Sequence, residues 1–280
     1  MSEGTTKVGC PLLCCRVNMG GMPARPIRWI FFDLYHTLAH FDETRLPLVE
    51  LPIGPTHTTL GEVHRVYTDH GGTMKMEEFL VCVLEVSRAV RREANESMRE
   101  ITSFERFRRV GLEAGVDPGD REEGVAVRMM ERHMQLLIGS ADVPFAHREL
   151  VRRLGAGRGV GLISNFDHGP AARSLLDRTQ MTELLDPIVI SDEEGLIKPN
   201  PEIFERALER AGVDREEAII VGDNPYDDVV GAQAAGIEVA WISPSGDPFP
   251  GEGPAPSWTV RSVLETEAIV NAASEGFPTG

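Results

Sequence analysis

The chain has 280 residues, 41% of them hydrophobic, enough for one large buried core or two modest ones. Its formal net charge of −16 argues against nucleic acid or an anionic membrane as the main partner, but leaves a small anionic substrate open. No run of about 18 or more apolar residues occurs, so no spanning helix is expected.

Residues 1–27 read as a poorly ordered leader, with Met19 and Met22 as alternative starts. Arg16 and Asn18 break its short apolar patch, so it is not read as a signal peptide. Cys10, Cys14 and Cys15 lie there and Cys82 lies in a helical run; the spacing fits no zinc site, and free thiols suit a reducing cytoplasm. Residues 28–34 (RWIFFDL) form a short, fully apolar run, the pattern of a strand buried on both faces. From about residue 57 to 138 the period becomes helical, with no convincing strand. Phe79, Val83, Val86 and Val90 share one face; Ser103 is expected to cap the next helix and Gly115 to end it. Met129, Met130 and Met134 read as packing residues of a third helix. After residue 145, strand and helix alternate. GVGLISNF, PIVI, EAIIVG and EVAWIS read as strands, with helices between them, one starting at Asn200 with Pro201 in its first turn. The Pro- and Gly-rich stretch 244–257 is a loop, followed by a last strand and helix. This alternation predicts an α/β fold with a doubly wound parallel sheet. The helical block divides it: core residues 28–42 and 146–275, and a smaller α-helical unit over 43–145.

Ligands of such sheets bind beyond the carboxyl ends of the strands. There the sequence places Asp33, then Ser164 and Asn165, then Asp223 with Asp227 and Asp228; Lys198 lies between the second and third groups. Asp33, Asp223 and Asp228 repel one another when desolvated together, and a divalent cation relieves this; all-oxygen ligands suit Mg²⁺. Lys198 is a point charge for a carboxylate or a phosphate oxygen. Asp227 reads as a solvated helix-start carboxylate, and His36 as a loop residue.

The stretches DLYHTL, LISNF, KPNPEIF and VGDNPYDDVVGAQAAG resemble, in order and spacing, the four motifs of the haloacid dehalogenase (HAD) superfamily over roughly residues 28–270. The resemblance implies a Rossmann-type core with an inserted helical cap. It also implies a nucleophilic Asp33 that forms an aspartyl-phosphate, Ser164 on a phosphoryl oxygen, and Lys198 orienting Asp33. Mg²⁺ would be held by Asp33, the Tyr35 backbone carbonyl and Asp223, with Asp228 in support. Thr37 would steady the motif loop, and Thr37 and Asn165 would contribute to substrate binding. The expected substrate is a small phosphorylated metabolite, and the expected state a monomer or homodimer in the cytoplasm. Arg65, Arg88, Arg91 and Arg92 are candidate basic groups of the cap.

One position departs from the pattern. HAD phosphatases usually carry a second aspartate two residues after the nucleophile as general acid and base, and here Tyr35 stands there. Three readings stay open: a Mg²⁺-dependent phosphatase, a 2-haloacid dehalogenase-like hydrolase, and a weakly active or non-catalytic protein that binds a phosphorylated ligand. The dehalogenase branch also carries Tyr at this place, but is metal-free, with Ser where Asp223 stands and Asn where Pro225 stands.

Overall fold

The computed structural model describes residues 25–51, 54–251 and 253–275. Most of the expected leader lies outside them. Residues 25–27 do not, and they belong to the fold: Ile27 is buried and Arg25 pairs with Asp214 at 2.6 Å.

The chain enters through β1 (Trp29–Phe32) and leaves the core by a short strand β2 (His40–Phe41). A hairpin of β3 (Leu48–Leu51) and β4 (Gly54–His57) follows, then four helices: α1 (Leu60–Asp69), α2 (Met76–Ser97), α3 (Ser103–Glu113) and α4 (Val125–Gly139). The chain returns through β5 (Ala141–Asp142), which pairs antiparallel with β2, so both crossings of this insert lie side by side. The remainder alternates: α5 (Phe145–Gly155), β6 (Gly159–Ser164), α6 (Gly169–Arg178), β7 (Ile188–Ile190), α7 (Ser191–Glu194), α8 (Pro201–Ala211), β8 (Ala218–Gly222), α9 (Gly231–Ala234), β9 (Glu238–Ile242), β10 (Trp258–Val260) and α10 (Thr266–Glu275).

The six-stranded sheet has the order β10-β9-β8-β1-β6-β7 and every pairing is parallel. Alternation along the strands explains why the apolar runs are continuous. In β1, Ile30 and Phe32 enter one apolar cluster while Phe31 enters the other; in β8, Ile219 and Val221 oppose Ala218 and Ile220 in the same way. Leu150, Val151 and Leu154 of α5 and Leu175 and Leu176 of α6 cover the first face; Ile203, Phe204 and Ala207 of α8 cover the second. The cluster on the first face continues into the insert through Val63, Tyr67, Phe79, Phe107, Met129 and Met134. The three expected packing methionines are buried there. Tyr67 buries its ring but satisfies its hydroxyl, which donates to Ala114 O at 2.9 Å and accepts from the Met74 amide at 3.0 Å.

Two details differ from expectation. The insert is not wholly helical, because β3 and β4 form a ribbon within 43–145. Its sequence, LVEL and GPTH, buries only Leu51, so it carries little hydrophobic signal. Thr102, not Ser103, caps α3: its hydroxyl accepts from the Glu105 amide at 3.3 Å, and Ser103 is instead the first helical residue, fully buried. Among the described residues, no helix is long and apolar enough to cross a membrane.

Candidate active site

β1 lies at the centre of the sheet, so the residue after it is flanked by strands on both sides. The Asp33 amide still donates to Val221 O of β8 at 2.9 Å, which fixes its backbone while its carboxylate passes the sheet edge. Lys198 reaches the same point from the loop before α8. Its ammonium donates to Asp33 Oδ1 at 2.6 Å, Asp228 Oδ1 at 2.6 Å and Ile163 O at 2.9 Å, so its three donors meet three acceptors. Lys198 is 2% exposed. Burial alone would lower its pKa, but the two carboxylates more than offset this and raise it, keeping the charge.

Asn165, expected at the substrate, lines the cleft, and its side chain also grips Lys198: Nδ2 donates to Lys198 O at 2.9 Å, and Oδ1 accepts from the Lys198 amide at 2.7 Å. A single side-chain amide thus holds both main-chain groups of the lysine. Thr37 is 1% exposed and reaches toward Asp223 Oδ1 at 3.5 Å, tying the loop after β1 to the loop after β8.

Oxygens of Asp33, Asp223 and Asp228 lie within 4.8 Å of one another. Three carboxylates around one ammonium leave excess negative charge. Burial therefore pushes Asp33 up, to about 7, with Lys198 opposing and Asp228 adding to the rise. Burial and the charge of Asp228 raise Asp223 as well. The donor set fits Mg²⁺. Asp228 spends both oxygens, one on Lys198 and one on the Asn224 amide at 3.0 Å, so it backs the site. Asp223 keeps free lone pairs, and among the described residues the Tyr35 carbonyl accepts no hydrogen bond. Gly222 permits this packing: a Cβ there would fall 2.2 Å from Asp228 Oδ2. The turn that carries Asp227 and Asp228, Pro225–Val230, is a wide helical turn rather than the start of a regular α-helix. Asp227 is not the solvated group expected. It is half-buried, accepts from Asn224 Nδ2 at 3.0 Å, and burial pushes it up to about 6.

Two hydroxyls of the motifs are buried without any hydrogen-bond partner, Ser164 Oγ and Tyr35 Oη. Such groups are costly unless a ligand or an ordered water completes them. The Tyr35 ring stacks on Phe166 with centroids 5.0 Å apart. Burial first, and the charge of Asp33 second, push its pKa up, so at neutral pH the phenol is a hydrogen-bond donor and not a base. His36 is exposed in the left-handed region, at φ 61°, and lines the cleft as a loop residue.

A cleft of about 690 Å³ separates the sheet edge from the insert. Of the four arginines expected there, only Arg91 lines it. Arg65 pairs with Glu62 at 2.8 Å, and Arg88 and Arg92 are exposed on α2 outside the cleft. Sequence reasoning missed Glu100, Arg106, His133 and Asp167, because the loop 98–102 and the two helix faces that bring them together leave no local signature. The loop docks on the core: the Ser103 amide donates to Asp167 O at 2.7 Å, and the Ser191 hydroxyl donates to Glu100 Oε2.

Burial pushes Glu100 up to about 7 from an ordinary 4.5, with the Ser191 bond opposing. A carboxyl raised on folding binds protons more tightly in the folded state. Stability is then full below about pH 4.5 and falls as pH rises to about 7. Glu100→Gln is therefore expected to stabilise the protein at pH 8, on the order of 2 kcal/mol, and to do nothing at pH 4. Urea unfolding at the two pH values checks it; an equal effect at both would contradict it.

The chain is 31% identical to the pyrimidine 5'-nucleotidase YjjG of Escherichia coli (strain K12) over 251 residues, 86% of this chain and 97% of that protein. It belongs to the haloacid dehalogenase-like hydrolases. A sequence model of the family described as haloacid dehalogenase-like hydrolase matches residues 122–242 of this hydrolase. The glyceraldehyde 3-phosphate phosphatase of Pyrococcus abyssi (strain GE5 / Orsay) is 35% identical over 36% of this chain and 42% of its own. The fold is shared with the 2-haloacid dehalogenase of Pseudomonas syringae pv. Tomato DC3000, at a TM-score of 0.62 and 19% identity, over 88% of this hydrolase and 99% of that chain.

Proposed function

We propose that this hydrolase is a Mg²⁺-dependent phosphatase acting on a small phosphorylated metabolite, with Asp33 as nucleophile. The observation that carries the reading is the cluster of Asp33, Asp223 and Asp228 around one buried lysine. An aspartate that only displaces halide from carbon needs no such surplus of carboxylates. When bound, Mg²⁺ would be held by Asp33, the Tyr35 carbonyl and Asp223, with Asp228 behind them, and would supply Lewis-acid neutralisation of phosphoryl charge.

The residues of this chain divide the remaining work. An Asp33 oxygen attacks phosphorus, the bond to the leaving oxygen breaks, and the carboxylate carries the phosphoryl group. Water then attacks that phosphorus as the bond to the Asp33 oxygen breaks, the water's proton staying with the phosphate that is released, and the carboxylate is restored. Lys198 holds Asp33 in place and offsets charge in both halves. The Ser164 hydroxyl, unpartnered in the free protein, donates to a phosphoryl oxygen. Tyr35 can donate a hydrogen bond to the leaving oxygen but cannot take a proton from water, so esters of poor leaving groups should turn over more slowly than acetyl phosphate, and binding of the leaving group decides among the esters. The segment 43–145 acts as a cap that shields the cleft from water. The nucleotidase relative makes nucleoside monophosphates the first esters to try.

The test is a panel of phosphate esters, acetyl phosphate and 2-haloacids, each with Mg²⁺ or with EDTA. Phosphate release that EDTA abolishes and excess Mg²⁺ restores is the expected result. The protonated phenol of Tyr35 favours a second reading, because halide departure needs no proton. Halide release indifferent to EDTA would replace the phosphatase reading with that one.

A further inference from the structure

Among the described residues, six buried side-chain polar atoms lack a hydrogen-bond partner. Four of them, on Tyr35, Ser103, Arg106 and Ser164, lie at the sheet edge or where the insert meets it. Two of these residues, Tyr35 and Arg106, line the cleft itself. Tyr35 and Ser164 are accounted for by the phosphoryl end; Arg106 is not.

Arg106 projects from α3 into the wall of the cleft. One terminal nitrogen is held by Asp167 Oδ2 at 2.9 Å, while Nε has no partner, and the side chain is 18% exposed. His133 of α4 lines the same wall; its Nδ1 is tied to Thr59 Oγ1 at 2.7 Å. Burial, and secondarily the charge of Arg106, push its pKa down to about 3, so the ring is neutral. Tyr226 adds an aromatic ring, 53% exposed, at the rim.

Charge narrows what this wall accepts. The cleft is lined by six carboxyl groups (Asp33, Glu100, Asp167, Asp223, Asp227 and Asp228) against three cations. Two of the cations, Lys198 and Arg106, are already paired with carboxylates. A second anion on the leaving group would meet this surplus with little free positive charge to oppose it. A neutral group with acceptor oxygens would meet N–H donors at no such cost. The volume, about 690 Å³, is that of a site for a whole metabolite rather than for phosphate alone.

We propose that Arg106 and His133 form the leaving-group subsite of this hydrolase, and that it takes an uncharged, carbonyl-bearing ring of the nucleobase type in preference to a leaving group with a second anion. This rests on the phosphatase reading for turnover, but not for binding. Arg106 acts as a specificity residue, its guanidinium fixed by Asp167.

The experiment compares the wild type with Arg106→Gln and Arg106→Lys. Kinetics use uridine 5'-monophosphate, phosphoglycolate and acetyl phosphate; thermal shift uses uridine alone. The lysine variant can keep the ion pair to Asp167 but lacks the Nε donor, so it controls for folding. Both variants are expected to lose about 10- to 100-fold more kcat/KM on uridine 5'-monophosphate than on acetyl phosphate, through KM. The wild type should prefer uridine 5'-monophosphate to phosphoglycolate, and uridine should raise its melting temperature but not that of either variant. Equal losses on the two substrates would make Arg106 merely structural, and a preference for phosphoglycolate would overturn the charge argument. If no substrate is turned over, the phosphatase reading fails. The subsite then stands on stabilisation by uridine that Arg106→Lys removes, and falls without it.

Discussion

Asp33→Asn is expected to lower phosphate release by about 10⁴-fold or more, the scale on which removal of a covalent nucleophile acts. The same change is expected to leave the fold as stable as before, or more so. In the native protein Lys198 is shared between Asp33 and Asp228, and Asp223 adds a third carboxylate nearby. The amide removes one buried negative charge, and its oxygen can still accept from the ammonium. Repulsion among carboxylates falls while the lysine keeps a charged partner in Asp228. Phosphate release assayed beside urea unfolding separates the two effects. Loss of activity together with loss of stability would mean that Asp33 holds the fold rather than performing the chemistry.

Lys198→Met should have the opposite profile: inactive and strongly destabilised. It leaves Asp33 and Asp228 buried side by side without their cation, and breaking a buried pair in this way costs about 3–5 kcal/mol. It also leaves Ile163 O without its 2.9 Å donor. Methionine matches the lysine stem in length, so lost packing contributes little. Unfolding with and without Mg²⁺ provides a specific readout, because a divalent cation can replace part of the missing charge. Mg²⁺ should therefore stabilise Lys198→Met more than the wild type. A loss below about 1 kcal/mol would show that the carboxylates simply take up protons in place of the lysine.

How much was legible in the sequence follows from what is local. The parallel sheet was legible because its strands are buried on both faces, and such runs as WIFF and AIIVG are apolar throughout. Asp33, Ser164, Lys198 and Asp223 were legible because each follows a strand or sits in a short motif, and strand ends converge on one edge. The hold of Asn165 on the Lys198 main chain was not, because an amide two loops away from its target leaves no local signature. Asp227 was misread because burial depends on the wide turn at Pro225–Val230, which a regular helix would have aimed differently. Arg106, Glu100 and Asp167 were invisible for another reason: the insert and the core meet there only after both have folded. The ribbon β3–β4 went unread because an exposed hairpin has almost no apolar alternation to detect.

The sheet order has a consequence for the life of the chain before the site exists. β1 is made first but sits between β6, which begins at Gly159, and β8, which begins at Ala218. During synthesis the first strand must wait nearly half the chain for one neighbour, Trp29 pairing with Gly159, and about two thirds of it for the other, Trp29 pairing with Ala218. Pairings of such sequence separation are slow to form, and an apolar strand with open edges is the kind of segment that aggregates or recruits a chaperone. Asp33 is therefore translated well before the strands that fix its place at the sheet edge.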